Sequence, residues 1–115
     1  MISLINLIIE SKIYKNEFLW RRFDMISIKF LTRFIDITGE KNLQVDNIAN
    51  ISILLDYLSQ KYDKPFKDVL YDDKGNIRDY LKIMINGEDI RDINGIDTPL
   101  KDGDQIVMFQ TIAGG

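Results

Sequence analysis

The C-terminal segment FQTIAGG, residues 109–115, ends in a carboxylate that is the first candidate for chemistry in this sequence. Gly114 and Gly115 specify no secondary structure and have no side chain to bury. Chain ends of this kind are commonly mobile and freely varied. The alternative is that the terminal carboxylate of Gly115 is itself the functional group. The rest of the sequence has to decide whether this end is merely mobile or chemically reactive.

Few other groups in the chain offer chemistry. The sequence contains no cysteine and no histidine, which excludes disulfides, thiolate nucleophiles, Cys/His zinc sites and imidazole acid–base catalysis. Carboxylates, hydroxyls, lysines or a chain end must therefore carry any reaction. No nucleophile with a neighbouring base is evident, so the pattern favours a non-catalytic substrate or carrier on which partner proteins act. The lack of cysteine fits a cytoplasmic location.

Composition and charge narrow the partners further. The chain has 115 residues, 45% hydrophobic and 29% charged, which is enough for one folded domain with a modest core. The net charge is −3, with acidic and basic residues interleaved, so we expect no nucleic-acid partner. The segment DDKGN, residues 72–76, resembles a calcium loop only in passing, because Ile83 stands where the final glutamate belongs. It is predicted to be a turn, and no metal site is expected.

Residues 1–24 form a separate N-terminal extension in this interpretation. Their apolar run is interrupted by Asn6 and Glu10, so it is too short and too broken to span a bilayer, and it lacks the pattern of a signal peptide. No membrane partner is expected. The segment is either a loosely attached amphipathic extension or lies upstream of the true start. The folded domain is predicted to cover residues 25–115.

Alternation and turn signals predict the elements of that domain. A first strand places Ile28, Phe30 and then Thr32 or Phe34 on one face. A break near Gly39 and a second strand complete a hairpin. A helix follows from the N-cap Asn50, and Pro65 restarts a shorter helical turn. The predicted apolar positions of the second strand and the helices are Leu43, Val45, Ile51, Leu54, Leu55, Leu58, Phe66, Val69 and Leu70.

The second half of the domain reads as three further strands. LKIMI alternates around Ile83, and Asn86-Gly87 is a strong hairpin signal before a weak partner strand, EDIRDI. The final strand, QIVMFQ, is expected beside the first, with one of Met108 and Phe109 in the core and the other on the exposed sheet face. The acidic set Glu88, Asp89, Asp92, Asp97, Asp102 and Asp104 is expected to form a solvated face.

This order predicts an α+β, two-layer domain with four to five strands packed on one main helix. Together with NGEDI, TPLKDGDQIVMF and the final AGG, it resembles the ubiquitin-like sulfur carriers of the MoaD/ThiS family. The resemblance implies a β-grasp (ubiquitin-like) fold with a mixed sheet and a flexible C-terminal tail. The resemblance is strongest to the small subunit of molybdopterin synthase and its archaeal relatives. It runs from about Met25 to Gly115.

The resemblance implies a specific chemistry at the tail. In that family a ubiquitin-activating-type adenylyltransferase (MoeB/ThiF-like) uses ATP to adenylate the C-terminal glycine, and sulfur then replaces AMP. Carried over by position, Gly115 would bear the adenylate and then the thiocarboxylate. Gly114, Ala113, Ile112 and Phe109 would contact partners, including a larger molybdopterin synthase subunit (MoaE-like). The chain itself would bind no cofactor.

Three acceptors remain open at this point. The carrier role in molybdenum or tungsten cofactor synthesis is the first. The second is a protein modifier that joins Gly115 to lysines, and the third is sulfur transfer for thiamine or tRNA. All three share activation at Gly115 and differ only in what receives the activated group.

Overall fold

The computed structural model describes residues 25–111, in which five strands form one mixed sheet. The predicted extension, residues 1–24, and the last four residues of the tail lie outside the described part. In chain order the elements are β1 (Met25–Phe30), α1 (Arg33–Thr38), β2 (Asn42–Asp46), α2 (Ile51–Leu70), β3 (Leu81–Ile85), β4 (Glu88–Asp89) and β5 (Gln105–Gln110). Two short 3₁₀ turns, Ile90–Asp92 and Gly95–Asp97, connect β4 towards β5.

The strand order is β2-β1-β5-β3-β4, which puts the last strand in the middle of the sheet. Strand β5 runs parallel to β1, with Ile28 opposite Ile106, and antiparallel to β3, with Ile83 opposite Met108. The first hairpin is antiparallel, and Ile28 also pairs with Leu43 of β2. The predicted placement of the last strand beside the first is therefore confirmed.

One face of the sheet and the two helices enclose a single core. The inward side chains of β1, β3 and β5 alternate along each strand, as the period-two pattern predicts. Helix α2 contributes the apolar stripe that the sequence indicated. The core residues that are 1% exposed or less are Ile26, Ile28, Phe30, Phe34, Ile51, Leu54, Leu55, Leu58, Phe66, Leu70, Leu81, Ile106 and Met108. This is the two-layer α+β architecture expected from the sequence.

Helix α2 begins and bends where its sequence predicts. The side chain of Asn50 accepts a hydrogen bond of 2.9 Å from the backbone N–H of Ile53, which satisfies one free donor of the first turn. Asp63 has a positive φ of 63° and interrupts the helix just before Pro65. Proline tolerates the first turn of a new helical segment because its missing N–H has no partner there.

The connection between β1 and β2 differs from the prediction. The first strand ends at Phe30, and residues Arg33–Thr38 form a helical turn instead of continuing the strand. Phe34 therefore points into the core, where its ring lies 5.5 Å from that of Phe66 and 6.3 Å from that of Phe30. The side chains of Phe30 and Phe34 are both fully buried, although Phe34 reaches the core from a helix and not from the predicted strand.

The two turns at the β3 end of the sheet have well-defined causes. Asn86 and Gly87 have φ values of 52° and 87°, the pair of left-handed conformations that a two-residue hairpin turn requires. In the 72–76 loop, the carboxylate of Asp72 accepts hydrogen bonds from the backbone N–H groups of Lys74 and Asn76. This loop is a turn, as predicted, and the structure shows that its own aspartate closes it.

Within residues 25–111 no helix is long and apolar enough to cross a bilayer.

Candidate functional site: the tail root and the open sheet face

The tail leaves the molecule from the most enclosed strand. Strand β5 lies between β1 and β3 and is held at its far end on both sides. On the β1 side, the N–H of Leu31 donates to the carbonyl of Met108 at 3.0 Å. On the β3 side, the N–H of Thr111 donates to the carbonyl of Tyr80 at 2.8 Å. The chain is thus fixed in place up to residue 111, four residues before its last glycine. We call residues 108–111 the tail root.

The side chain of Thr111 reinforces this last contact. Its hydroxyl also donates to the carbonyl of Tyr80, at 3.0 Å, so one oxygen accepts two hydrogen bonds from the same residue. The sequence alone gives no indication of this contact, because residues 80 and 111 are paired only by the long-range register of β3 and β5. Thr111 and Tyr80 were therefore missed at the sequence level.

The turn that contains Tyr80 is fixed by an arginine from beyond β4. The guanidinium of Arg91 donates to the carbonyl of Leu81 at 2.7 Å and to the carbonyl of Arg78 at 3.0 Å. Arg78 in turn donates from Nε to the carbonyl of Asp68 near the end of α2, at 3.0 Å. These hydrogen bonds join the turn that contains Tyr80 to the segment beyond β4 and to the end of helix α2.

The face of the sheet opposite the helices carries an apolar patch flanked by lysines. We define the open-face patch as Met84, Val107 and Phe109 with the flanking Lys29 and Lys82. Met84 lies opposite Val107, and Lys82 lies opposite Phe109 on adjacent strands. Val107 also pairs with Lys29 of β1. The three apolar side chains are half-buried, which leaves them accessible to a docking protein.

Met108 and Phe109 divide as the sequence predicts, with one in the core and the other on the open face. Met108 is completely buried, whereas Phe109 is half-buried and lies two residues before Thr111. Phe109 is the one predicted site residue inside the described part of the chain. The others, Ile112, Ala113, Gly114 and Gly115, lie outside it.

The six acidic residues that were predicted to form a solvated face are not all exposed. Asp104 is only 2% exposed and accepts hydrogen bonds from the side-chain amide of Asn86 and the backbone N–H of Lys101, at 2.9 and 2.8 Å. Asp89 is also enclosed, with a side chain 15% exposed. For these two residues the prediction is wrong, because each carboxylate accepts hydrogen bonds from neighbouring parts of the fold. The other four acidic residues of the set, Glu88, Asp92, Asp97 and Asp102, are exposed as expected.

Asp89 links the open-face patch to Arg91. Its carboxylate accepts from the ammonium of Lys82 at 3.2 Å and from the backbone N–H of Arg91 at 2.9 Å. Burial by itself would raise the pKa of Asp89, but the hydrogen bonds from Arg91 and Lys82 outweigh it and hold that pKa below its usual value. Asp89 therefore stays ionised near neutrality and orients Lys82 on the open face.

Known proteins share both the sequence and the shape of this domain. A family model described as the ThiS family matches residues 28–115. Small archaeal modifier protein 3 of Haloferax volcanii is 27% identical over 92 residues, covering 78% of this chain and 98% of that protein. A putative sulfur carrier protein of Archaeoglobus fulgidus is 31% identical over 77 residues, covering 67% of this chain and 85% of that protein.

A solved structure agrees with these matches. The solution structure of small archaeal modifier protein 1 from Methanosarcina acetivorans superimposes with a TM-score of 0.68 at 26% identity, covering 81% of this chain and 98% of that one. The family match runs from Ile28, within β1, to the final glycine, so it includes β2 to β5 and the tail. This chain therefore belongs to the ThiS family of ubiquitin-like β-grasp sulfur carriers.

Proposed function

We propose that this protein is a sulfur carrier whose C-terminal Gly115 is adenylated and then thiocarboxylated. The observation that supports this most directly is the geometry of the tail root. Strand β5 is central, Thr111 directly after it is held by two hydrogen bonds, and the accessible open-face patch lies beside it. A partner that docks on the patch would find Gly115 only four residues from a fixed point.

The chemistry would proceed in two balanced steps. A carboxylate oxygen of Gly115 attacks the α-phosphorus of ATP, and pyrophosphate leaves, which gives a mixed anhydride with AMP. A hydrosulfide equivalent then adds to the glycyl carbonyl and AMP leaves, so one oxygen of the carboxylate is exchanged for sulfur. Glycine suits both steps because it has no Cβ to obstruct the carbonyl and accepts backbone angles closed to other residues.

The catalytic groups would come from partners. We propose that a ubiquitin-activating-type adenylyltransferase binds the ATP, while this chain supplies the carboxylate, the tail residues Ile112 to Gly114 and the docking patch. Lys29 and Lys82 flank the patch, so a partner with acidic residues around an apolar centre would be complementary. Activation would take place in the cytoplasm, where ATP is available to the activating enzyme.

For the sulfur acceptor, we propose a metal-binding pterin precursor held by a larger molybdopterin synthase subunit. The support for this is the likeness of the NGEDI hairpin and the TPLKDGDQIVMF turn to the small subunit of that enzyme. Delivery of sulfur to thiamine or tRNA would use the same activated tail with a different acceptor.

A second candidate function is protein modification. It is favoured by the Haloferax relative, which is named as a modifier. In that case a lysine amine of a target protein would attack the activated glycyl carbonyl, AMP would leave, and Gly115 would remain in an isopeptide bond.

ATP–pyrophosphate exchange with the activating enzyme of the same host tests activation itself. The proposal predicts exchange that depends on this chain and disappears when Gly115 is deleted. Exchange that is unchanged by that deletion would contradict it. Adding sulfide and the large synthase subunit with pterin precursor, or a cell lysate, then distinguishes sulfur transfer from conjugation to lysines.

A further inference from the structure

We propose that Thr111 and Arg91 form a tail clamp that fixes residue 111 in place, and so sets how far Gly115, four residues later, can reach. They act as positioning residues, because both act through the backbone carbonyls of residues 78–81. The inference rests on the proposed activation at Gly115 and adds a length requirement to it.

The first part of the clamp is the double contact of Thr111. A strand end near the surface ordinarily frays, and Tyr80, which accepts the contact, is 37% exposed. Two donors from Thr111 meet on the carbonyl of Tyr80, the backbone N–H at 2.8 Å and the hydroxyl at 3.0 Å. Residue 111 can therefore be released only if both bonds break, so the two bonds together hold it in register.

The second part is the guanidinium of Arg91, which fixes the acceptor. It donates to the carbonyls of Arg78 and Leu81, so it binds the chain on both sides of Tyr80. Its planar fork of donors can hold both carbonyls at once, which a lysine ammonium on a flexible stem does less well. The carbonyl of Tyr80 is thereby presented to Thr111 in a fixed position.

The consequence is a defined reach. Residues 112 to 115 can extend at most about 13 Å from Thr111, at roughly 3.3 Å per residue. If the clamp opens, the last fixed residue becomes residue 110 in place of 111. Gly115 could then reach one residue further, but it would also sample a larger volume. A partner docked on the open-face patch then meets the carboxylate at a lower effective concentration.

A deletion combined with an opened clamp tests this idea by ATP–pyrophosphate exchange with the host activating enzyme. Deleting Ala113 shortens the tail, and we expect kcat/KM to fall about 100-fold, because small misplacements of a reacting group are costly. Thr111→Pro removes both donors while the strand before it stays extended. That variant alone should lose roughly tenfold through the lower effective concentration.

The double variant gives the decisive result. Because an opened clamp returns one residue of length, Thr111→Pro with Ala113 deleted should be at least tenfold more active than the deletion alone. A general structural defect predicts the opposite, namely that the two losses multiply, and that outcome would overturn the clamp. Thr111→Ser, which keeps both donors, should behave like the unaltered protein.

Hydrogen exchange of the Thr111 amide measures the clamp without any partner. The amide should be protected in the full chain and exchange about tenfold faster in Arg91→Lys. Equal exchange in the two proteins would overturn the role of Arg91. If the unaltered chain supports no pyrophosphate exchange, the proposed function fails, and the amide measurement still decides whether the clamp exists.

Discussion

The side-chain amide of Asn86 donates a hydrogen bond of 2.9 Å to the buried carboxylate of Asp104. The carbonyl oxygen of the same amide accepts from the backbone N–H of Gln105, also at 2.9 Å. One side chain thus joins the β3–β4 turn to the start of β5, the strand that carries the tail. The register of β5 depends on this pair at one end and on Thr111 at the other.

Removing the buried carboxylate should therefore be costly. We expect Asp104→Ala to lower the free energy of unfolding by about 2 kcal/mol, because it leaves the part-buried donors of Asn86 and Lys101 without their acceptor. Asp97→Ala, at an exposed aspartate, is the matched control and should change stability by less than about 0.5 kcal/mol. Urea denaturation of both variants measures the difference, and equal effects would show that the Asn86–Asp104 pair contributes nothing specific.

Asp89 should make the fold sensitive to acid. Its pKa lies below the usual value in the folded protein, so its contribution is present above the unfolded pKa of about 3.9 and is lost as pH falls through the folded pKa. Asp89→Asn should cost about 1 kcal/mol at pH 7. The variant should also lose less stability than the unaltered protein on acidification below about pH 4. Parallel stability curves for the two proteins would contradict this.

Tyr62 should have the opposite effect at high pH. Its hydroxyl donates to the carboxylate of Glu40 at 2.9 Å, and burial, followed by the interaction with Glu40, raises the pKa of Tyr62. A raised pKa stabilises the fold below the unfolded value of about 10, and that contribution is lost at higher pH. Tyr62→Phe should cost about 1 kcal/mol at pH 7 and weaken the alkaline loss. Tyr80→Phe, at an exposed ring, is the control and should change stability at pH 7 by less than about 0.5 kcal/mol.

The open-face patch should be needed for docking rather than for folding. Phe109→Thr keeps a residue that favours strands and removes the ring, and it should weaken binding to the activating enzyme about tenfold or more. Ile53→Thr is the matched control, because Ile53 is 45% exposed on the outer surface of α2. Calorimetric titration compares the two. Equal loss of affinity, or none for Phe109→Thr, would place the docking surface elsewhere.

A side chain at residue 115 should affect activation of the tail but not the stability of the fold. Gly115→Val adds a branched side chain next to the reacting carbonyl, so activation should fall by at least about 100-fold on steric grounds. The melting temperature should not change, because residues 25–111 contain the whole described core. Normal pyrophosphate exchange by this variant would argue against a narrow channel for the tail.

Local pattern was sufficient for the elements that pack one clear face. The alternation in LKIMI and QIVMFQ, the Asn86-Gly87 turn and the Asn50 cap each have a strong local cause, and the structure places each of them as predicted. The central position of β5 also followed from the order of elements.

The remaining features depend on long-range contacts. Helix α1 has six residues and no side-chain cap, and it forms because Phe34 reaches the core beside Phe66. The burial of Asp104 requires Asn86, 18 residues away, and the clamp requires residues 80 and 111 to meet. Spacing along the sequence does not contain these pairings, because they arise only when β3 and β5 align.

Intact-protein mass measures the covalent state of Gly115 most directly. Protein isolated from its native host, with sulfide and ATP pools preserved, should contain a fraction whose mass differs by the exchange of one oxygen for sulfur. Alkylation specific to thiocarboxylates should locate that sulfur on Gly115. An unmodified carboxylate throughout, with no glycylglycine remnant on lysines of other proteins, would contradict both the carrier and the modifier interpretations.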